Sequence, residues 1–227
     1  MSAVTSVLAV PEAASSPAAG FSPVGRVAAA VALVLGAGLQ LAAFALEPAH
    51  DETVDRLRWV AANPDRADLA KLSDFLAVPF LFGSVLVYVL LARQRSRRLA
   101  YGAGILVGFG LVGLAAIQGF EALMFGLAQD GRFEQAALAD AIDDVTSPAA
   151  IAIIVLLLLG GGLGLLGIAV ALWRSGAVPR GAAVLVAAFV LVDFVLQQGL
   201  AGHAIEFAAA SWIAWAVLRA GREPTPS

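Results

Sequence analysis

Three pairs of polar residues interrupt the most apolar stretches of this sequence. Each pair is spaced to share one face of a helix: Gln118 and Glu121, Asp193 and Gln197, His203 and Glu206. Three carboxylates offer hard oxygen ligands, one imidazole can bind a metal or change charge near neutral pH, and the carboxamides both donate and accept hydrogen bonds. Ionisable groups in hydrocarbon cost about 2.5–3.5 kcal/mol each on insertion scales, so they seldom face lipid. Counted from the midpoint of each apolar stretch, all six fall in the same half of the bilayer, as do Gln40 and Gln198. A single inward-facing polar pocket, open to the outside, requires that match in depth.

Three roles fit such a pocket. It could bind a small ligand, a cation or an exchangeable proton. It could hold a metal on His203 and the carboxylates and activate water against a lipid head group. Or the side chains could hydrogen-bond one another and stitch the helices together. A zinc centre usually takes three protein ligands, and only one histidine, His203, lies in an apolar stretch, which weighs against the second role and excludes bis-histidine haem ligation. His50 lies in the first outer loop and could in principle close over the pocket, although nothing in the sequence positions it there. No catalytic residue and no cofactor is assigned. The chain has no cysteine, and it lacks a Gly-x-Ser-x-Gly elbow, a His-Glu-x-x-His helix, a phosphate loop and a dinucleotide fingerprint.

The elements that must position these residues are membrane spans. With 60% hydrophobic and 14% charged residues, a 227-residue chain has too little polar surface to face water. A crossing needs about 20 apolar residues, and six stretches qualify: 27–46, 75–91, 101–127, 151–173, 182–198 and 203–218. The last two form one nearly continuous run, folded at Gln197–Gly202, the only segment polar and glycine-rich enough to turn; a long fifth helix with a re-entrant segment is the alternative. Arginine placement sets orientation: with both termini inside, the inner side holds Arg26, Arg93, Arg95, Arg97, Arg98, Arg174, Arg180, Arg219 and Arg222. The outer loops then hold Arg56, Arg58, Arg66, Lys71 and Arg132 among twelve carboxylates. The predicted fold is therefore an all-α polytopic transmembrane bundle of six helices, N-in and C-in. Residues 1–22 form a disordered tail, 23–220 the membrane domain, and 221–227 a short second tail.

Both outer loops carry helical patterns. Val54, Leu57, Val60 and Ala61 predict an amphipathic surface helix, and Phe133, Ala137, Leu138, Ala141, Ile142 and Val145 predict a second, whose Asp140, Asp143 and Asp144 make one acidic, solvated face. Asn63-Pro64 and Ser147-Pro148 are helix starts, and Pro79 predicts a kink. Gly104-x-x-x-Gly108 and Gly160-x-x-x-Gly164 have the spacing that lets membrane helices approach closely, so the third and fourth spans should pack tightly.

The stretch Leu172-Trp173-Arg174-Ser175-Gly176-Ala177-Val178-Pro179-Arg180-Gly181 resembles an inner-loop signature of a group of six-helix bacterial membrane proteins of unknown function: an aromatic, Arg-Ser, then Val-Pro-Arg before a small-residue helix start. Gly181 departs from the bulky residue usual there. The resemblance implies a multi-pass protein of the bacterial plasma (inner) membrane, and it carries no activity or site residue. Thirteen arginines to one lysine also suggest a GC-rich bacterial source. The expected partners are the lipid bilayer and a second copy or another membrane protein, with no nucleic acid. The expected function is small-ligand or cation binding in the pocket, as a sensor or accessory subunit; a metal-dependent or lipid-active membrane enzyme and a small oligomeric transporter are the alternatives.

Overall fold

The computed structural model describes residues 21–220, which leaves most of the first predicted tail and the whole of the second outside the described residues. Eight α-helices follow one another, with no strand among the described residues: α1 (Pro23–Leu46), α2 (Thr53–Ala62), α3 (Pro64–Gln129), α4 (Gln135–Asp143), α5 (Pro148–Leu157), α6 (Gly164–Ser175), α7 (Arg180–Val190) and α8 (Gly199–Arg219). Two π-helical segments, Leu158–Leu163 and Leu191–Val195, join α5 to α6 and extend α7. Four helical stretches are long and apolar enough to cross a membrane: Pro23–Leu46, Pro64–Gln129, Pro148–Ser175 and Gly199–Arg219.

The 66-residue α3 is not one straight rod. At Ser96 the backbone leaves helical geometry (φ −135°, ψ 44°) and the chain doubles back, so that Lys71 near its start meets Glu121 near its end. It thus forms two antiparallel limbs, 64–95 and 97–129, with the Arg93–Arg98 run at the bend. Pro79 sits inside the first limb, where the backbone stays helical.

Local chemistry explains the starts and stops. Ser22 Oγ accepts from Gly25 N at 3.0 Å ahead of Pro23, and Ser147 Oγ accepts from Ala150 N at 3.2 Å ahead of Pro148, so both helices open on a capped proline turn. Asn63 behaves otherwise: its side-chain amide donates to the Trp59 carbonyl (2.9 Å), sealing the end of α2 instead of capping α3. Gly176, at φ +64°, closes α6 in the left-handed conformation that glycine tolerates. Beside it Ser175 Oγ donates to the Leu172 carbonyl and accepts from Ala177 N, and Arg180 stacks on Trp173. The signature around Trp173 and Arg180 is thus a corner between two helices. The ring of Trp212 lies 2.7 Å from where a Cβ on Gly181 would stand, which is why a bulky residue has no room there.

The predicted turn at 197–202 is shorter than expected. The π segment ends at Val195, Gln197 takes a positive φ of 53°, and α8 starts at Gly199. Gly199 and Gly202 permit this early start, because side chains there would meet Phe44 and Asp193 at 2.5 and 2.7 Å.

Packing relies on small residues. Ala29, Ala37, Ala77, Ala92, Ala100, Ala171, Ala182 and Ala210 all lie in the main buried cluster with Leu33, Leu91, Leu172 and Ile213. In lipid, helix association gains little from hydrophobic transfer and depends on such close approach. A second, smaller cluster caps one end: Leu57 and Val60 of α2 pack on Phe125 and Ala128 of α3 and on Ala139 of α4. The apolar face of α4 is Leu138, Ala139 and Ile142, whereas Phe133 and Val145, expected on it, are exposed beyond its ends. Asp143 accepts from Thr53 Oγ1 at 2.7 Å, so the acidic face of α4 is partly used to fasten α2.

Candidate functional site: a central polar cavity

Beneath that cap lies a cavity of about 850 Å³, within the usual size of a small-molecule site. Its walls come from α1, both limbs of α3, the two π segments and α8, and the connection between α1 and α2 forms its rim. All six predicted site residues line it: Gln118, Glu121, Asp193, Gln197, His203 and Glu206. Gln40 lines it too, whereas Gln198 faces away and is exposed.

Two polar clusters divide the walls. The first is an ion-pair chain. Arg56 of α2 donates to Glu47 at the end of α1 and, at 2.7 Å, to Glu121 in the second limb of α3. Lys71 in the first limb also donates to Glu121, and to Gln118 Oε1 at 3.1 Å. The Gln118 amide in turn donates to Asp74. Lys71 and Asp74 are one helical turn apart, with their charged atoms separated by 3.7 Å. The chain therefore fastens α2 across the cavity mouth and clamps the two limbs of α3 together. Burial by itself would lower the affinity of the Arg56 guanidinium for its proton; the hydrogen bonds and charges of Glu47 and Glu121 outweigh it, and its pKa stands above the ordinary arginine value. Phe125 lies within cation–π reach of both Arg56 and Lys71, at 5.1 Å from each.

The second cluster is acidic. His203 Nδ1 lies 3.0 Å from Glu206 Oε2 on the same face of α8, and His203 Nε2 lies 3.8 Å from Asp193 Oδ1. The imidazole is nearly covered, sandwiched between Phe44 and Phe189 with ring centroids at 4.2 and 5.4 Å. Asp193 is delivered by a π segment, where the local turn widens and re-aims side chains; such turns often mark functional positions.

Three contributors were not singled out by the sequence. Lys71 and Asp74, read as outer-loop residues, are buried in α3. Arg56, read as part of a solvated helix face, reaches into the cavity rim. His50 lines the rim as well, with its Nε2 buried and without a hydrogen-bond partner. Lys71 and Asp74 carry a signal in retrospect: they fall on the buried stripe Ala67, Ala70, Ala77, Val78 and Leu81 at helical spacing, and Lys71 is the chain's only lysine.

The charge balance decides what the cavity can hold. Five carboxylates (Glu47, Asp74, Glu121, Asp193, Glu206) line it against three permanent cations (Arg56, Arg66, Lys71), a formal excess of two negative charges with the histidines neutral and of one with His203 protonated between Glu206 and Asp193. Arg66 is exposed and lies over the Trp59 ring, which leaves it far from a compensating role inside. Asp74 Oδ1, on a residue only 6% exposed, has no hydrogen-bond partner. Asp74 keeps Lys71 and Gln118 on its other oxygen, whereas Asp193 and Glu206 have only His203 beside them, and such carboxylates in a low-dielectric wall demand protons or a cation. Among the described residues, no group of three or more histidine, cysteine or acidic side chains is spaced to hold a metal ion. No protein-family model, curated protein or solved structure matches the chain.

Proposed function

We propose that this protein is a multi-pass membrane protein that binds a small organic cation in its central cavity. The observation that carries the reading is the excess of carboxylates in a wall that is otherwise apolar and aromatic. Phe44, Tyr88, Phe189 and Phe194 add aromatic wall beside the counter-charges, and the cavity is far larger than a bare metal ion needs. The bend at Ser96 makes two crossings of α3. With α1, α5–α6 and α8, and with α7 as a short pass that turns within the outer leaflet, this gives six passes, N-in and C-in, with the Arg93–Arg98 bend and the Trp173–Arg180 corner in the cytoplasm. The α2–α4 cap then lies outside, and the cavity opens toward it. Ligand reception, as a sensor or an accessory subunit, suits a single cavity latched by a surface helix. The resemblance at the Trp173 corner supports a bacterial plasma-membrane location.

The absence of cysteine makes topology directly testable. Single cysteines replacing Gln94 and Glu134 should react with a membrane-impermeant maleimide on opposite sides, the second from outside in intact cells. Labelling of both from one side would refute the six-pass arrangement.

For ligand binding, purified protein in phosphatidylcholine nanodiscs should melt several degrees higher with millimolar butylamine at pH 7, where the amine is protonated. Sodium butyrate at the same concentration should have no effect. An Asp193→Asn/Glu206→Gln variant should fold but lose the response to butylamine. A response that is equal for amine and carboxylate, or that survives in the double variant, would remove the cation reading.

A further inference from the structure

One wall of the cavity is built in part from residues that are themselves exposed. It includes Leu157, Leu158 and Gly161 on one side and Asp193, Gln197 and Leu200 on the other. Leu158 and Leu200 are half-exposed, and Gln197 is exposed, so these lining residues also reach the outer surface of the bundle. A gap there follows from unequal helix lengths. From the corner at residues 176–179, α7 and its π segment climb only to Val195, about 24 Å at 1.5 Å per residue. The stretch Pro148–Ser175 climbs 28 residues, about 42 Å, from the same corner. Above Val195, α5 therefore has no neighbour on that side: it packs on α3 and buries none of its residues. The Phe194 ring forms the lower sill, lying 2.8 Å from the place a Cβ on Gly161 would occupy. Since a crossing needs about 30 Å, the missing top of α7 falls within the leaflet nearest the cap.

We infer that the gap between α5 and the 191–200 segment is a lateral entrance from the bilayer, and that the ligand is an amphiphile with a protonated amine head and an alkyl chain. This rests on the cation reading above and narrows it. The amine sits against Asp193 and Glu206, which line the cavity beside this gap. The chain leaves between Leu158 and Leu200 and stays in contact with lipid. A hydrophilic cation would have to enter past the cap, where Arg56 fastens α2 across the mouth through Glu47 and Glu121; an amphiphile already dissolved in the leaflet avoids that route.

The experiment uses nanodiscs of phosphatidylcholine and a dodecylamine carrying a diazirine at the end of its chain. On illumination the label should attach to residues 151–158 and 191–200, and excess unmodified dodecylamine should remove it. In Leu158→Trp, which narrows the gap, dodecylamine affinity should fall at least tenfold more than butylamine affinity does. Label confined to α2 and α4, or equal losses for both amines in Leu158→Trp, overturns the lateral entrance. Butylamine binding with no competable dodecylamine label overturns the amphiphile but leaves the cation site standing. Binding of neither amine to the wild-type protein overturns both.

Discussion

Lys71→Met is expected to lower the unfolding free energy of the protein by about 3 kcal/mol, measured by denaturant unfolding in mild detergent. Breaking a buried ion pair from one side typically costs about 3–5 kcal/mol, because the partner is left charged and dry. The lower end applies because Glu121 keeps Arg56 and Asp74 keeps Gln118 when the lysine is gone. What is lost is the charge that holds two carboxylates from opposite limbs of α3 at the same place. In the double variant Lys71→Met/Asp74→Asn the formal charge of the cluster is unchanged, so more than half the loss should return. A single variant within about 0.5 kcal/mol of wild type, the ordinary range of surface changes, would mean that this cluster is as wet as a surface ion pair and does not clamp the limbs.

That cluster also marks where the sequence is legible and where it is not. Gln118, Glu121, Asp193, Gln197, His203 and Glu206 stand out because each interrupts a long apolar run. All six line one cavity, the first and last pairs from shared helix faces and Gln197 from the turn after the π segment that carries Asp193. Lys71 and Asp74 do not stand out: they follow Asp65, Arg66 and Asp68 in a stretch whose average polarity is that of a loop. Only the burial of Ala67, Ala70 and Ala77 beside them shows that the helix has already entered the bundle. Arg56 illustrates a different limit. Its backbone position on α2 is read correctly as amphipathic, but a long side chain can turn over the helix edge, and its direction is set by Glu47 and Glu121, which are distant in sequence from one another.

The π segments show a third limit. Nothing local distinguishes Leu191–Val195 from the α-helix before it; the wider turn arises where Asp193 must sit against Gly202 and Phe194 against Gly161. Tertiary contacts choose that geometry, so no pattern in the 180–195 sequence announces it. The early end of α7 follows from the same place, and with it the lateral gap. Boundaries expected from hydropathy alone ran three residues too far, to 198, because Leu196, Gln197 and Gln198 continue the run without continuing the helix.

Gly160→Ala should be the most damaging single-methyl change in the protein, at about 2–3 kcal/mol, in the upper range for overpacking. A Cβ there would stand 2.3 Å from the Gly110 nitrogen, 2.5 Å from the Gly110 Cα and 2.6 Å from the Leu106 carbonyl oxygen, all backbone, so no rotamer change can relieve it and the helices must separate. Gly108→Ala makes the control. Gly108 has nothing within 4 Å of a built Cβ, and exchanging an unhindered helical glycine for alanine gains up to about 1 kcal/mol of helix propensity. The two glycine pairs look alike in the sequence, yet Gly108 is predicted to respond with the opposite sign to Gly160, while Gly104 and Gly164 are crowded by Val89 and Val107. Spacing of four brings small residues to one face, but the crossing point is decided by the partner: Gly110 and Gly113 meet the 153–161 stretch, while Gly108 lies on the open side of the same limb. If Gly108→Ala destabilised as strongly as Gly160→Ala in thermal melts of the detergent-solubilised protein, the contact between the second limb of α3 and the π segment would have to be placed elsewhere, and the cavity wall built on it would move as well.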